Sequence, residues 1–172
     1  GRDVDRWNAQ PSAFILVPYS RTNASEPVSE AALQTNAPKT HDYLKFFKDE
    51  LRKRPKFRNF DPANACFYML YNIGNYSFSE YKVVWREQAS KFTAAVSGLL
   101  NGEITIPDHK LSIVPVSSED EAYYLCALLN SSIAQFIVKS YSLGTSTDVH
   151  VLNYIACPRF NNRSTIHMSL ST

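Results

Sequence analysis

Residues 111–139 read LSIVPVSSEDEAYYLCALLNSSIAQFIVK, and this stretch decides the fold. Its first six residues are mostly apolar and include β-branched side chains, which predicts a strand over Leu111–Val116. Ser118 and Glu121 then have the S-x-x-E spacing of a capping box, at which a helix begins. Apolar side chains recur at helical spacing for about five turns after it. We therefore predict a core helix over Glu119–Lys139.

Further elements are predicted on both sides of this stretch. Within the helix, Asn130-Ser131-Ser132 is a polar point at which it could break. Upstream, Tyr81–Arg86 (YKVVWR) predicts a second strand, and Phe92–Val96 is a candidate for another. Nearer the start, the apolar run FILVPY over Phe14–Tyr19 predicts a short buried strand. The polar residues 20–38 that follow predict a long loop.

A second helix is predicted over Asp42–Arg54. Thr40 is a candidate cap, and Pro55 ends the helix. Apolar side chains at helical spacing predict its buried face; they are Tyr43, Phe46, Phe47 and Leu51. This set of strands and helices predicts an α+β fold, in which a twisted mixed or antiparallel sheet has helices packed against it.

The length and composition suit one globular domain. The chain has 172 residues, of which 44% are hydrophobic and 13% aromatic, enough for a sizeable core. No apolar run approaches the roughly 18 residues of a membrane span, so no membrane partner is predicted. Cys66, Cys126 and Cys157 are far apart and form no CxxC pair, which predicts free thiols, no zinc site and a cytoplasmic location. The chain starts without Met, which fits either an excised fragment or a processed chain.

Positive charge is concentrated in one segment. The whole chain has a net charge of +2, whereas residues 39–58 contain eight Lys or Arg against three acidic residues. Such a run at the end of a helix can be a solvated terminus favoured by the helix dipole, or it can bind phosphates. The candidate phosphate contacts are Lys45, Lys53, Arg54, Lys56 and Arg58.

The sequence carries none of the common enzyme motifs. It has no G-x-G-x-x-G, P-loop, G-x-S-x-G or H-E-x-x-H string. It also lacks the Asn/Asp-Pro-Pro-Tyr/Phe loop with which adenine methyltransferases grip an extruded base. We therefore predict no catalytic residue, cofactor or metal in this chain. The alternative is a metal-dependent nuclease, in which Asp61 and Glu80 would hold the metal and Lys82 would steady the transition state.

Several strings in order along residues 1–160 resemble the TaqI-like C-terminal specificity domain of type IIG and related adenine DNA methyltransferases. The opening Gly1–Trp7 (GRDVDRW) is similar to the segment that follows the family's catalytic domain. Tyr81–Arg86 resembles one of the family's strands. Tyr124–Ser131 (YLCALLNS) is close to the family's Y-L-x-A-L-L-N-S helix, the most specific of these matches. Residues 144–158 resemble its closing L-x-x-I-P element, although this chain ends the element with A-C-P.

The resemblance implies a division of labour. Residues 1–160 would be a non-catalytic target-recognition domain that binds a specific sequence in double-stranded DNA. A catalytic methyltransferase domain, absent from this fragment, would lie N-terminal to it, bind S-adenosylmethionine and flip the adenine. The parent would be a restriction–modification enzyme, with or without endonuclease activity. Residues 161–172 lack a pattern, which predicts a loosely ordered tail.

Recognition of a sequence requires side chains that read base edges as well as phosphate contacts. Arg and Gln can bond guanine or adenine bidentately in the major groove, and small polar loop residues can donate further hydrogen bonds. The candidates of this kind are Arg86, Gln88, Lys91, Thr145, Ser146, Thr147 and His150. A protein–protein docking domain is a third hypothesis, which an exposed apolar patch would favour.

Overall fold

A mixed sheet organises the larger part of the chain in the computed structural model, which describes residues 3–54, 66–141, 147 and 149–171. The strands of the described part are β1 (Trp7–Asn8), β2 (Tyr81–Arg86), β3 (Ala94–Ser97), β4 (Leu99–Leu100), β5 (Glu103–Ile104) and β6 (Leu111–Val116). Four of them form a sheet in the order β1-β3-β2-β6, with β1 parallel to β3 and the other neighbours antiparallel. This confirms the predicted α+β class and the predicted bounds of β2 and β6.

The helices of the described part are α1 (Glu30–Asn36), α2 (Pro38–Phe46), α3 (Lys48–Arg52), α4 (Glu119–Leu129), α5 (Ser132–Tyr141) and α6 (Thr165–Ser169). The Ser118 hydroxyl caps α4 by accepting the Glu121 N–H at 3.2 Å, as the capping box predicts. The long helix expected after β6 is divided into α4 and α5 at Asn130-Ser131, within the predicted break. No helix in the described ranges is both long and apolar enough to cross a membrane.

Both faces of the sheet are covered. On one face, Val83 and Trp85 of β2 pack against buried residues of α4, including Cys126 and Leu129. On the other face, Val84 of β2 belongs to a smaller cluster with Val4, Ala95 and Leu111. Successive residues of a strand point to opposite faces, which is why β2 is apolar at consecutive positions.

Asn130 joins the helix break to the sheet. Its side-chain amide accepts the Ala94 N–H at 3.1 Å and donates to the Ala94 carbonyl at 2.8 Å. The amide therefore pairs with the first residue of β3 as a neighbouring strand would. The Asn130 carbonyl in turn accepts a hydrogen bond from the Arg6 guanidinium at 3.2 Å. Asn130 thus joins α4 to β3 through its buried side chain and to the N-terminal segment through its backbone carbonyl.

The chain divides into two compact units rather than the single domain that its length suggested. The sheet unit comprises residues 1–14 and 76–172, and the helical unit comprises residues 15–75. The helical unit contains α1 to α3 and has a core of its own, made of Leu33, Leu44, Phe67 and Tyr68. This separate core is the physical reason for the second unit.

Three predictions for residues 14–54 were wrong. Phe14–Tyr19 is not a buried strand: its first three residues are exposed, and the described residues place only an isolated bridge, from Tyr19 to Pro27, in this region. The expected loop 20–38 contains α1, because Ser29 caps a run of good helix formers. The helix predicted over Asp42–Arg54 begins earlier, at Pro38, so Thr40 lies inside it and does not cap it, and the helix is broken at Phe47.

The end of the chain is more regular than its lack of pattern suggested. A 3-10 helix spans Val149–Tyr154, and α6 follows with Ser164 as its cap. The His167 ring of α6 lies 4.6 Å from the Tyr124 ring of α4, centroid to centroid. Residues 161–171 were expected to be loosely ordered, whereas this contact packs them on the sheet unit.

Lys82 of β2 is a fully buried cation, and it predicts how stability depends on pH. Its ammonium donates to the carbonyls of Ser79 and Thr105. Burial lowers the pKa of Lys82 from 10.5 to about 8. Between these values the unfolded chain binds one proton more than the folded chain, so the free energy of unfolding gains a rising contribution as the pH increases.

The buried Cys126 thiol acts in the opposite direction at higher pH. Its pKa is raised from 9.0 to about 12, so the unfolded thiol ionises first. We therefore expect the Lys82 effect to show between about pH 8 and pH 9. Urea unfolding, followed by the fluorescence of Trp7 and Trp85, measures the free energy of unfolding. This free energy should rise with pH over that range in wild type and should not rise in Lys82→Met. If the free energy of unfolding changed equally with pH in the two proteins, Lys82 would not be the group responsible.

Candidate nucleic-acid interface

An open cleft lies at the carboxyl end of β2. It has a volume of about 180 Å³, and its walls are formed by Val4, Asp5, Arg86, Ala89, Ser90, Lys91 and Thr93. The cleft lies within the sheet unit, and two of its residues, Arg86 and Lys91, are predicted base-reading residues. The walls also carry two hydroxyl groups and one carboxylate. Such a lining can bind a polar, mainly anionic group.

Arg86 is a fixed part of this wall. Its guanidinium Nη2 donates to the Val4 carbonyl at 2.7 Å, and the side chain is half-buried. The residue directly opposite Arg86 in β6 is Leu111, so the cross-strand neighbour is apolar. The contact with Val4 holds the N-terminal segment against the end of β2 and fixes the position of a positive charge beside the cleft.

Gln88 and Lys91 differ from Arg86 because both are exposed. They lie on the loop between β2 and β3, where long polar side chains can extend into solvent. Exposed Gln and Lys side chains are able to contact a duplex without first breaking internal bonds. These two residues are therefore the most accessible of the predicted contacts in the sheet unit.

A second group of predicted base-reading residues meets this loop. The Thr147 N–H donates to the Glu87 carbonyl at 2.6 Å, across 60 positions of sequence, and Thr147 is buried. Its burial makes Thr147 a support of the loop rather than an exposed base contact. His150 is exposed on the 3-10 helix that follows. Thr145 and Ser146 lie outside the described residues.

Trp7 marks the same end of the sheet with an unusual backbone. Its φ of 79° lies in the left-handed region, which a bulky side chain rarely adopts. The ring is 44% exposed, and the Arg6 guanidinium lies over it at 5.0 Å from the ring centroid. Strained backbone of this kind is concentrated at functional sites. Sequence reasoning missed Trp7 and Asp5, because nothing in the sequence indicates that the N-terminal segment reaches the end of β2.

The predicted phosphate contacts lie in the helical unit, and they divide into two kinds. Lys45 and Lys53 are exposed, as phosphate contacts must be. Arg54 is instead bound to the protein: its guanidinium donates to the carbonyls of Leu51 at 2.8 Å, Phe67 at 3.1 Å and Met69 at 2.8 Å. Burial also lowers the pKa of Arg54. Lys56 and Arg58 lie outside the described residues.

An aromatic surface replaces the apolar core face that was predicted for this region. Tyr43 and Phe46 are 57% and 81% exposed, and Phe47 contacts both rings at centroid distances of 5.2 and 4.9 Å. The buried residues of α2 are His41 and Leu44 instead. We call Tyr43, Phe46 and Phe47 the aromatic surface of the helical unit.

The predicted nuclease residues are only partly described. Asp61 lies outside the described residues, Glu80 is exposed, and Lys82 is bound to two backbone carbonyls. That arrangement gives Lys82 a structural role. In the part of the chain that the structure covers, no group of three or more His, Cys, Asp and Glu side chains could hold a metal ion.

Neither a protein-family model nor a curated protein matches this chain, so its assignment depends on the geometry of the residues themselves.

Proposed function

We propose that the chain is a non-catalytic, sequence-specific recognition domain for double-stranded DNA, and that its sheet unit contacts DNA at the end of β2. One observation carries the proposal: the hydrogen bond from Thr147 to Glu87 joins two segments that were selected separately as candidate base readers. A recognition surface needs such segments to lie side by side, because several side chains must reach adjacent base pairs at the same time.

The charge and exposure of this end of the sheet support the proposal. Lys91 and Lys110 are exposed, and the Lys110 carbonyl accepts the Glu87 N–H at 3.1 Å, which places β6 beside the loop. Exposed cations attract the phosphate backbone, and Gln88 is suited to adenine in the major groove. The parent protein would supply the methyltransferase domain, S-adenosylmethionine binding and catalysis, as the family resemblance implies.

Charge reversal of Lys91 tests the proposal. We expect Lys91→Glu to weaken binding to a mixed-sequence duplex by about tenfold at low salt, because it removes one phosphate attraction and adds one repulsion. Fluorescence anisotropy without metal measures the change. Arg163→Glu is the matched control, since Arg163 is exposed on the tail segment of the same unit and is not among the described residues that line the cleft. Equal loss in both variants would show a general charge effect and no local site.

A docking function is the second candidate, and the aromatic surface of the helical unit favours it. Clustered exposed rings such as Phe46 and Tyr43 are typical of protein interfaces. The test is a Phe46→Ser change in the parent protein. If it separates subunits or domains while DNA binding by this chain persists, the helical unit has a docking function. Unchanged assembly would remove this candidate.

A further inference from the structure

The cleft at the end of β2 contains more donors than acceptors. Arg86 and Lys91 supply positive charge, and Ser90 and Thr93 supply hydroxyl groups. Asp5 is the one carboxylate among the lining residues that the structure describes. The described side chains of this lining therefore supply two cationic groups, two hydroxyl groups and one carboxylate, and several of them can bond oxygen atoms. An oxyanion fits it better than a cation or an apolar ligand does.

The shape of the cleft distinguishes a phosphate from a base edge. Base edges lie on the floor of a major groove about 8.5 Å deep, and side chains must project to reach them. Phosphates project outward from the duplex, so a concave surface can receive one. Arg86 is held in the wall by its bond to Val4 and does not project as a base-reading side chain would.

We infer that this cleft is a binding site for one phosphate group, which Arg86 attracts with a fixed charge and Lys91 grips with an exposed, movable ammonium. The inference deepens the proposed function and rests on it for the source of the phosphate, the DNA backbone. It assigns Arg86 and Lys91 to positioning on the duplex and leaves Gln88, outside the cleft lining, as the base-reading residue of this loop.

Loss of the Asp5 charge should change phosphate affinity in the opposite direction to loss of the Lys91 charge. The Asp5 carboxylate accepts the Arg6 N–H at 2.7 Å, and its negative charge opposes an anion in the cleft. Removal of that charge by Asp5→Asn should therefore tighten phosphate binding. If the cleft instead read the amino group of cytosine, Asp5 would be the acceptor, and the same change would weaken binding.

The test uses inorganic phosphate and the full chain. Amide NMR spectra are recorded during a phosphate titration at constant ionic strength, for wild type, Lys91→Ala, Asp5→Asn and the control Arg163→Ala. We expect saturable shifts at residues 89–93 and an affinity about fivefold lower in Lys91→Ala. Asp5→Asn should raise the affinity about twofold to fivefold, and the control should leave it unchanged. The dispersed spectrum of each variant shows that it is folded.

Two results would overturn the inference: no saturable shift at residues 89–93, or weaker phosphate binding in Asp5→Asn. A titration with a DNA duplex tests the phosphate site and the proposed DNA recognition separately. If phosphate binds in the cleft but neither duplex nor phosphate displaces the other, the site exists and its assigned source, DNA, is wrong. If the duplex binds and Lys91→Ala changes affinity for only some sequences, Lys91 reads bases, and the phosphate site fails while DNA recognition stands.

Discussion

Replacing Asn130 with Ala should lower the free energy of unfolding of the sheet unit by about 2–4 kcal/mol. The change leaves the Ala94 N–H without a partner and leaves the Ala94 carbonyl with only the weak thiol donor of Cys126 at 3.4 Å, and an unsatisfied buried group costs about 1–3 kcal/mol. Asn130 is only 5% exposed, so water cannot replace the amide without local opening. Both tryptophans of the chain, Trp7 and Trp85, lie in the sheet unit, and their fluorescence during urea unfolding reports its stability.

The Asn130→Asp variant sharpens this prediction. Its carboxylate can accept the Ala94 N–H but cannot donate to the Ala94 carbonyl, and burial of the charge adds a further penalty. Protonation restores a donor, so we expect this variant to regain part of the lost stability as the pH falls. Gln135→Ala is the control. The side-chain amide of Gln135 makes only a long hydrogen bond in the described structure, 3.4 Å to the Leu129 carbonyl. An Asn130→Ala protein as stable as this control would disprove the role of the amide.

The second large effect is expected at Arg54 in the helical unit. Its guanidinium connects the end of α3 to the carbonyls of Phe67 and Met69, and hydrogen bonds from a charged donor contribute about 1.5–3 kcal/mol. We expect Arg54→Ala to destabilise the helical unit by about 2 kcal/mol. Hydrogen exchange of the amides in residues 66–75, measured by mass spectrometry, should accelerate by about thirtyfold.

Two variants distinguish this structural role from a phosphate contact. Arg54→Lys should not restore protection, because a lysine lacks the planar fork that reaches several carbonyls at once. Arg52→Ala, which removes an exposed arginine of α3, should leave exchange unchanged. If Arg54→Ala instead weakens DNA binding with normal exchange, Arg54 contacts DNA and the account of its hydrogen bonds is wrong.

The sequence predicted the elements whose pattern is long and regular. The strand before Ser118 and the helices after it follow from β-branched residues, a capping box and sustained helical spacing. Phe14–Tyr19 failed because an apolar run does not reveal whether a neighbouring strand exists to pair with it. The α2 stripe failed because the helix breaks at Phe47, so helical spacing no longer relates Phe46 to Leu51.

The candidate site could be predicted only in part. Residue type and position at or just after a predicted strand indicated Arg86 and Lys91 as DNA contacts, and the structure places both in one cleft. The contact of Thr147 with Glu87 and the position of Asp5 beside the cleft depend on tertiary packing, which a single sequence does not encode in any local pattern. Arg54 shows the reverse problem: a basic run predicts charge, but only geometry shows that one of its side chains bonds internal carbonyls.

Salt dependence of DNA binding tests the central claim most directly. Fluorescence anisotropy of the whole chain on a mixed-sequence duplex, titrated with salt in the absence of metal, gives the number of phosphates that the protein neutralises. We predict that log K falls linearly with log salt with a slope of about −3 or steeper, as three or more phosphate contacts require. Absence of binding at about 50 mM salt, or an affinity independent of salt, would contradict DNA recognition by this chain.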